Sequence, residues 1–509
     1  MCAHPSGVLA ASRRLLAAVL LPTALLAAGC GSGGGGEDGD GERGREDRSS
    51  AACTLPSERG GGSGKTPGRA ADGPAGRADV DGDGHADAVV NGWYGGPESP
   101  GGRWRNNRFV LRAADGGPDP SAAFPLSGCL PPHGPLSSLP EPVADDHSVQ
   151  LTGDLDDDGY ADVLAHGFTT PDMTFDERQR ILWGGPDGPG AATDLPRGAD
   201  PAAAVGDFDG NGALDLLTLA PAGGEDERGA QLATVLRGPL ARTGGKPRGE
   251  TETDVGFDGW ASVTDVLVGD FDGDGRDDLV TRATYDEEDL RFEMDMPDAV
   301  HDAAFYRGTP AGLRLAGPVP GVTAEAPARN GGATPLAAGD FDGDGTDDIV
   351  ARQEEGDGAL VVYGGPSGPG TGRAGAELGW QIGLRSAAGD VNGDGTDDVV
   401  TSHAASGGEG EVTVAPGGPD GVDADSARVF VPQDVGAKRG GRRNADHLFG
   451  WQLHLADLDT DGDDDLLVGT YRAGEPPDEP GYWILPGTPE GTSAAGRSFL
   501  ATRDAGRAG

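Results

Sequence analysis

Twenty-eight side chains of this sequence share a spacing that suits one kind of chemistry, the binding of a hard cation. The pattern D-x-[DN]-x-[DN]-G-x-x-D, followed by two apolar residues, occurs seven times. Its first, third, fifth and ninth positions are Asp79, Asp81, Asp83 and Asp87, then Asp154, Asp156, Asp158 and Asp162, then Asp207, Asp209, Asn211 and Asp215. They continue as Asp270, Asp272, Asp274 and Asp278, as Asp340, Asp342, Asp344 and Asp348, as Asp390, Asn392, Asp394 and Asp398, and as Asp457, Asp459, Asp461 and Asp465. Carboxylates at positions 1, 3 and 5 of a tight loop converge on one ion, glycine at position 6 permits the sharp turn, and the carbonyl at position 7 adds a ligand. Those carbonyls belong to His85, Tyr160, Ala213, Arg276, Thr346, Thr396 and Asp463. The acid at position 9 is expected to complete the cage. Oxygen ligands without His or Cys side chains favour Ca²⁺ over zinc or copper, up to seven ions in all. Without metal, three or four negative charges in one loop repel strongly.

The elements that must hold these loops read as strands. An EF-hand would place Glu at position 12 and a helix after it. Position 12 here is Val90, Ala165, Thr218, Thr281, Ala351, Thr401 and Val468. The segments that follow, such as Asp278-Leu279-Val280-Thr281 and Asp398-Val399-Val400-Thr401, are short and rich in β-branched residues or Leu, the composition of buried strands. Position 2 is always apolar (Val80, Leu155, Phe208, Phe271, Phe341, Val391, Leu458), which predicts core packing beneath each loop. A further strand then runs into a Gly/Pro turn, as in Ile181–Trp183 before Gly184-Gly185-Pro186 and Leu360–Tyr363 before Gly364-Gly365-Pro366. With an outer strand, each unit has four strands, and seven units predict an all-β, seven-bladed β-propeller with a calcium-binding loop in each blade. The competing architecture is an open β-solenoid.

Other chemistries find less support. There is no G-x-S-x-G, H-E-x-x-H or C-x-x-C, and the histidines are scattered, so no catalytic residue is assigned. Gly64-Lys65-Thr66 ends like a phosphate-binding loop, but Arg59 stands where the first glycine should be. Paired carboxylates leave a polysaccharide lyase or hydrolase as the alternative reading. Trp260, Trp380 and Trp451 precede acidic loops at equivalent places, where they serve blade packing or line a sugar site.

The chain has 509 residues, with 92 Gly, 39 Pro and a formal net charge of −46. Such an acidic body excludes nucleic acid and anionic membrane surfaces as partners. Residues 1–29 carry no acid, and Arg13 and Arg14 precede the apolar run from Leu15 to Ala28, the shape of an export signal. Leu26-Ala27-Ala28-Gly29-Cys30 resembles the lipobox of bacterial lipoproteins. That resemblance implies lipidation at Cys30, membrane attachment through the lipid alone, and a place on the outer face of the cytoplasmic membrane, with plain secretion as the alternative. Residues 30–71 read as a flexible Gly- and charge-rich tether, and residues 72–509 as the propeller. Cys53 and Cys129 are left as an even pair in an oxidising location, so a disulfide between them is expected.

The repeat pattern resembles the FG-GAP (VCBS-like) repeat family, which includes the N-terminal propeller of integrin α chains. Gly206-Asp207-Phe208-Asp209-Gly210-Asn211-Gly212 and Gly269-Asp270-Phe271-Asp272-Gly273-Asp274-Gly275 are close to its calcium loop. Phe449-Gly450-Trp451 and Leu378-Gly379-Trp380 stand where the family places its Phe-Gly element. The resemblance implies calcium ions in blade hairpins on one face of a propeller. In integrins not every blade carries a loop, whereas all seven units here do. The expected function is a monomeric, non-catalytic binding or adhesion scaffold for a protein or glycan ligand.

Overall fold

The computed structural model describes residues 78–95, 104–120, 123–126, 151–166, 179–190, 192–196, 202–221, 231–255, 261–285, 303–323, 333–353, 358–383, 385–403, 410–436, 449–470 and 481–502. All belong to the compact unit that runs from Arg48 to Gly509. The export signal, the tether, Cys30, Cys53 and Cys129 lie outside the described residues.

The chain folds as an all-β propeller, with no α-helix among the described residues. Among the described residues, six sheets have four antiparallel strands each, and each sheet is built from strands consecutive in sequence. One sheet shows the plan: Ala333–Gly339, Asp348–Gln353, Gly358–Val362 and Ala376–Gln381 pair in that order. A further sheet, Ala88–Gly95 with Trp104–Leu111 and Phe124–Pro125, has three strands. Where its first strand would lie there is a single bridge, Ala78 to Asp87.

Each acidic loop is the hairpin between the first and second strands of a sheet. The residue before position 1 pairs with position 9, as in Gly153 with Asp162, Gly269 with Asp278 and Ala456 with Asp465. The second strands carry apolar residues on both faces, Leu466, Leu467 and Val468 for example, because they are covered on both sides.

Among the described residues, seven apolar clusters hold the sheets together, each formed between consecutive sheets. Phe341, Val350, Val361 and Tyr363 of one sheet meet Val399 of the next. The last sheet returns to the first: Leu467, Tyr482, Ile484 and Leu500 pack with Ala88, Val90, Phe109 and Leu111. The position-2 side chains, expected to be core, are all buried and each enters the cluster between its own sheet and the following one. Burying one such Phe stabilises by about 1.5–3 kcal/mol, so the loops are anchored by apolar burial as well as by polar contacts.

Candidate metal centre

The loops owe their shape to backbone N–H groups that point at carboxylates. Position 1 accepts from the N–H of positions 5 and 6, one on each oxygen. In the fifth loop, Asp344 donates to Asp340 Oδ1 at 3.1 Å and Gly345 to Oδ2 at 2.9 Å. All seven loops repeat this pair. The tight turn needs positive φ at positions 4 and 6. Glycine provides it at most of these places, and position 4 of two loops is Asp157 (φ 61°) or Thr460 (φ 64°), the only non-glycine residues of that kind described.

Position 9 is the buried staple of each loop. One oxygen of Asp162 accepts the N–H of Leu155 at 2.9 Å, and the other that of Gly184 in the Gly/Pro turn at 2.8 Å. The second contact recurs as Ala113 to Asp87, Gly238 to Asp215, Gly308 to Asp278, Gly364 to Asp348, Gly417 to Asp398 and Gly487 to Asp465. Burial pushes these carboxyls up: Asp87, Asp215, Asp398 and Asp465 to about 7, Asp278 and Asp348 to about 8, and Asp162 well above the usual carboxylate range. Negative neighbours in the loop add to the effect.

The acids meet as a cation would require. Oxygens of positions 1, 3 and 9 lie within 4.8 Å of one another in the loops starting at Asp79, Asp154, Asp207 and Asp270. In the loop starting at Asp340 the trio is Asp340, Asp342 and Asp344. Position 5, expected as a ligand throughout, also accepts the N–H of position 7, at 3.0 Å from His85 to Asp83 and 3.1 Å from Arg276 to Asp274. The residues fit a hard cation by one further sign. Asp215 and Asp278 are wholly buried, yet each keeps an Oδ2 without a hydrogen bond, and so does Asp272 at Oδ1. Buried carboxylate oxygens are costly when unpaired, and a cation bound among them removes that cost.

Two features escaped the reading of the sequence. Position 8 is Asp277, Asp347, Asp397 and Asp464 in the last four acidic-loop partners, and each clasps the preceding sheet. Asp270 donates its N–H to Asp347 Oδ2 at 2.8 Å, while Asp347 donates its own to the Asp270 carbonyl at 2.9 Å. The same pair joins Asp207 with Asp277, Asp340 with Asp397 and Asp390 with Asp464. The residue before position 1 makes room for it. A Cβ on Gly206, Gly269, Gly339 or Gly389 would stand 2.6–2.9 Å from the clasping carboxylate oxygen. Where the next sheet carries only alanine at position 8, Ala86 or Ala161, alanine also occupies the earlier place, Ala456 or Ala78. The second feature is a set of arginines that pair with the acids at position 3.

The tryptophans divide. Trp183 and Trp483 are buried in the apolar clusters, while Trp380 and Trp451 are half-buried, with Trp380 Nε1 donating to Thr401 Oγ1 at 3.1 Å. Trp260 lies outside the described residues. His454, one of the scattered histidines, lies beside Tyr482 with the rings tilted (centroids 5.8 Å apart), and burial pushes its imidazole down to about 4.

Fold and loops together define a β-propeller whose hairpins carry acidic, cation-shaped loops. Residues 262–289 and 449–485 match the family model of the FG-GAP repeat, and the two segments contain the fourth and seventh loops. Each of these two segments is thus similar to an FG-GAP repeat. No curated protein matches the sequence. A similar solved structure is described as "Structure of Dos1 propeller", 7% identical with a TM-score of 0.33, over 64% of this chain and 64% of that one.

Proposed function

We propose that the protein is a calcium-binding, seven-bladed propeller that serves as a non-catalytic binding scaffold at the outside of the cell. The sheet that starts at Ala88 counts as the seventh blade. The observation that carries the calcium reading is the set of buried, unpartnered oxygens on Asp215, Asp278 and Asp272, inside clusters made only of oxygen ligands. Positions 1, 3 and 9 supply carboxylates, position 5 a further carboxylate or amide, and position 7 its carbonyl. A bound ion would neutralise charge that folding has concentrated, so binding would stabilise the fold by mass action. Millimolar extracellular calcium suffices for loops of this class.

The ligand is a protein or a glycan, bound by loops between blades. The half-buried Trp380 and Trp451 are the aromatic surfaces that a sugar would use, and no observation favours a reaction on it. Cys30 would carry the lipid that holds the protein at the membrane, and no helix among the described residues is long and apolar enough to cross one. The test is calcium titration of the full mature chain by calorimetry, with melting in calcium and in EDTA. Heat of binding and a melting point raised by calcium support the reading, and an unchanged melt removes it. Mass spectrometry of the N-terminal peptide tests the lipid, and a glycan array separates a lectin from a protein binder.

A further inference from the structure

We infer that the seam where the last sheet meets the first is the cation-controlled part of the ring. The inference rests on the calcium reading above. In six loops the charge at position 3 is already countered. Arg112 Nη1 lies 3.4 Å from Asp81 Oδ2, Arg237 Nε 3.6 Å from Asp209 Oδ2, Arg307 Nη1 2.9 Å from Asp272 Oδ2 and Arg373 Nη1 3.4 Å from Asp342 Oδ2. Arg242 reaches across from the following sheet to pair with Asp156 and Asp158. The sixth loop dispenses with the charge, because its position 3 is Asn392. Each of these five arginines takes the Oδ2 of its partner. In Asp81, Asp156, Asp272 and Asp342 the Oδ1 is left shut off from solvent without a hydrogen bond.

The seventh loop has neither device. Its position 3 is Asp459, and among the described residues no arginine or lysine pairs with it. Asp459 Oδ1 is sealed from solvent and unpartnered, in a loop that also holds Asp457, Asp461 and Asp465 and carries a further acid, Asp463, at position 7. Neighbouring carboxylates that repel one another, with no arginine or lysine paired to Asp459 among the described residues, make this the loop that most needs a cation.

That loop also makes the closing contacts of the ring. The Leu458 carbonyl accepts the N–H of Ala114 at 3.0 Å, and Thr460 Oγ1 donates to Asp115 Oδ1 at 3.0 Å. The acidic clasp found between four other pairs of sheets is absent here, where Ala456 faces the sheet of Ala86. The seam therefore depends on the conformation of residues 457–465 more than the four clasped junctions depend on their own loops. A cation among the four carboxylates holds Leu458 and Thr460 against the first sheet. Without it, repulsion loosens the loop and both contacts with it. The arginine-bearing loops keep their shape in either condition.

Hydrogen exchange on the full chain, read by mass spectrometry in CaCl₂ and in EGTA, tests this. Slowing by calcium should be largest in peptides covering 453–466 and 109–117, about tenfold more than in those covering 340–348. The substitution Asp459→Asn imitates the sixth loop and should slow exchange of both seam peptides in EGTA. Arg373→Gln should transfer calcium sensitivity to residues 340–348 while leaving their exchange in calcium unchanged. Equal slowing in all loops, or an Arg373→Gln protein whose 340–348 loop gains no sensitivity, would overturn the proposal and leave the calcium reading standing. No slowing anywhere, with no heat of binding, would overturn both.

Discussion

Replacing Gly269 with alanine should destabilise the protein, and the same replacement should become harmless once Asp347 is also alanine. The new methyl would lie 2.7 Å from Asp347 Oδ2, closer than real Cβ contacts allow, and 3.1 Å from its Cβ, which is tight. Asp347 cannot swing away cheaply, because its Oδ2 holds the N–H of Asp270 and its own N–H holds the Asp270 carbonyl. Overpacking of this kind costs about 1–3 kcal/mol. Asp347→Ala alone removes a charge-assisted hydrogen bond and should cost about 1–2 kcal/mol, near the lower end for such bonds. The cost is at the lower end because burial disfavours the charged form of this carboxyl, pushing it up to about 7. In the double variant the clash is gone, and alanine in place of glycine restricts the unfolded chain, a gain of about 0.4–1 kcal/mol. The pair should thus show a coupling of about 1–3 kcal/mol. The native Ala78/Ala161 and Ala456/Ala86 pairs already have this composition. Urea unfolding of the four proteins in saturating calcium measures the cycle. Strict additivity, or a Gly269→Ala protein as stable as the parent, would refute the reasoning.

Other outcomes are expected on the same grounds. In EDTA, stability should fall as pH rises from about 4 to about 8, because the position-9 carboxyls, raised to about 7 or 8, are protonated in the folded chain and must lose that proton on the way up. Calcium favours the charged form, so in calcium the fall should shrink or reverse; melting curves across pH in both conditions read this directly. Asp398→Asn should cost about 1–3 kcal/mol even in EDTA, since its amide cannot accept from both Val391 and Gly417 as the carboxylate does at 2.9 and 2.8 Å. Phe341→Ala should cost about 3–5 kcal/mol, as that ring is wholly buried between two sheets, whereas Leu315→Ser on an exposed outer strand should leave the melt nearly unchanged.

What the sequence made legible was local. The nine-residue spacing, the apolar position 2 and the short apolar runs after position 9 are patterns within one hairpin, and each corresponds to a described element. The clasp between Asp347 and Gly269 was not legible, because it pairs residues of different repeats and shows only when one loop is compared with the next. Its trace is the adjacent pair Asp347-Asp348, also present as Asp277-Asp278, Asp397-Asp398 and Asp464-Asp465, beside a glycine in the repeat before. The arginines were hidden for a different reason. They come from the end of a third strand in Arg237 and Arg307, from just past it in Arg112, from beyond a Gly/Pro turn in Arg373, and from the neighbouring sheet in Arg242. No fixed spacing marks them. Trp183 and Trp483 could have been surface or core on composition alone, and only the packing of the sheets decides it.

One set of stitches between sheets runs one way round. The position-2 carbonyl of one loop accepts from the turn of the sheet that follows, Val80 from Gly185, Phe271 from Gly365, Phe341 from Gly418, Val391 from Thr488 and finally Leu458 from Ala114. Each junction is therefore head-to-tail, joining the position-2 edge of one sheet to the turn edge of the next. Any run of sheets cut from the chain would have one edge of each kind left open. Two copies of such a fragment are complementary to each other, whichever fragment is taken. Partial chains should then assemble into rings shared between molecules, and mixed halves should restore one ring, with the number of sheets set by curvature rather than by covalent connection.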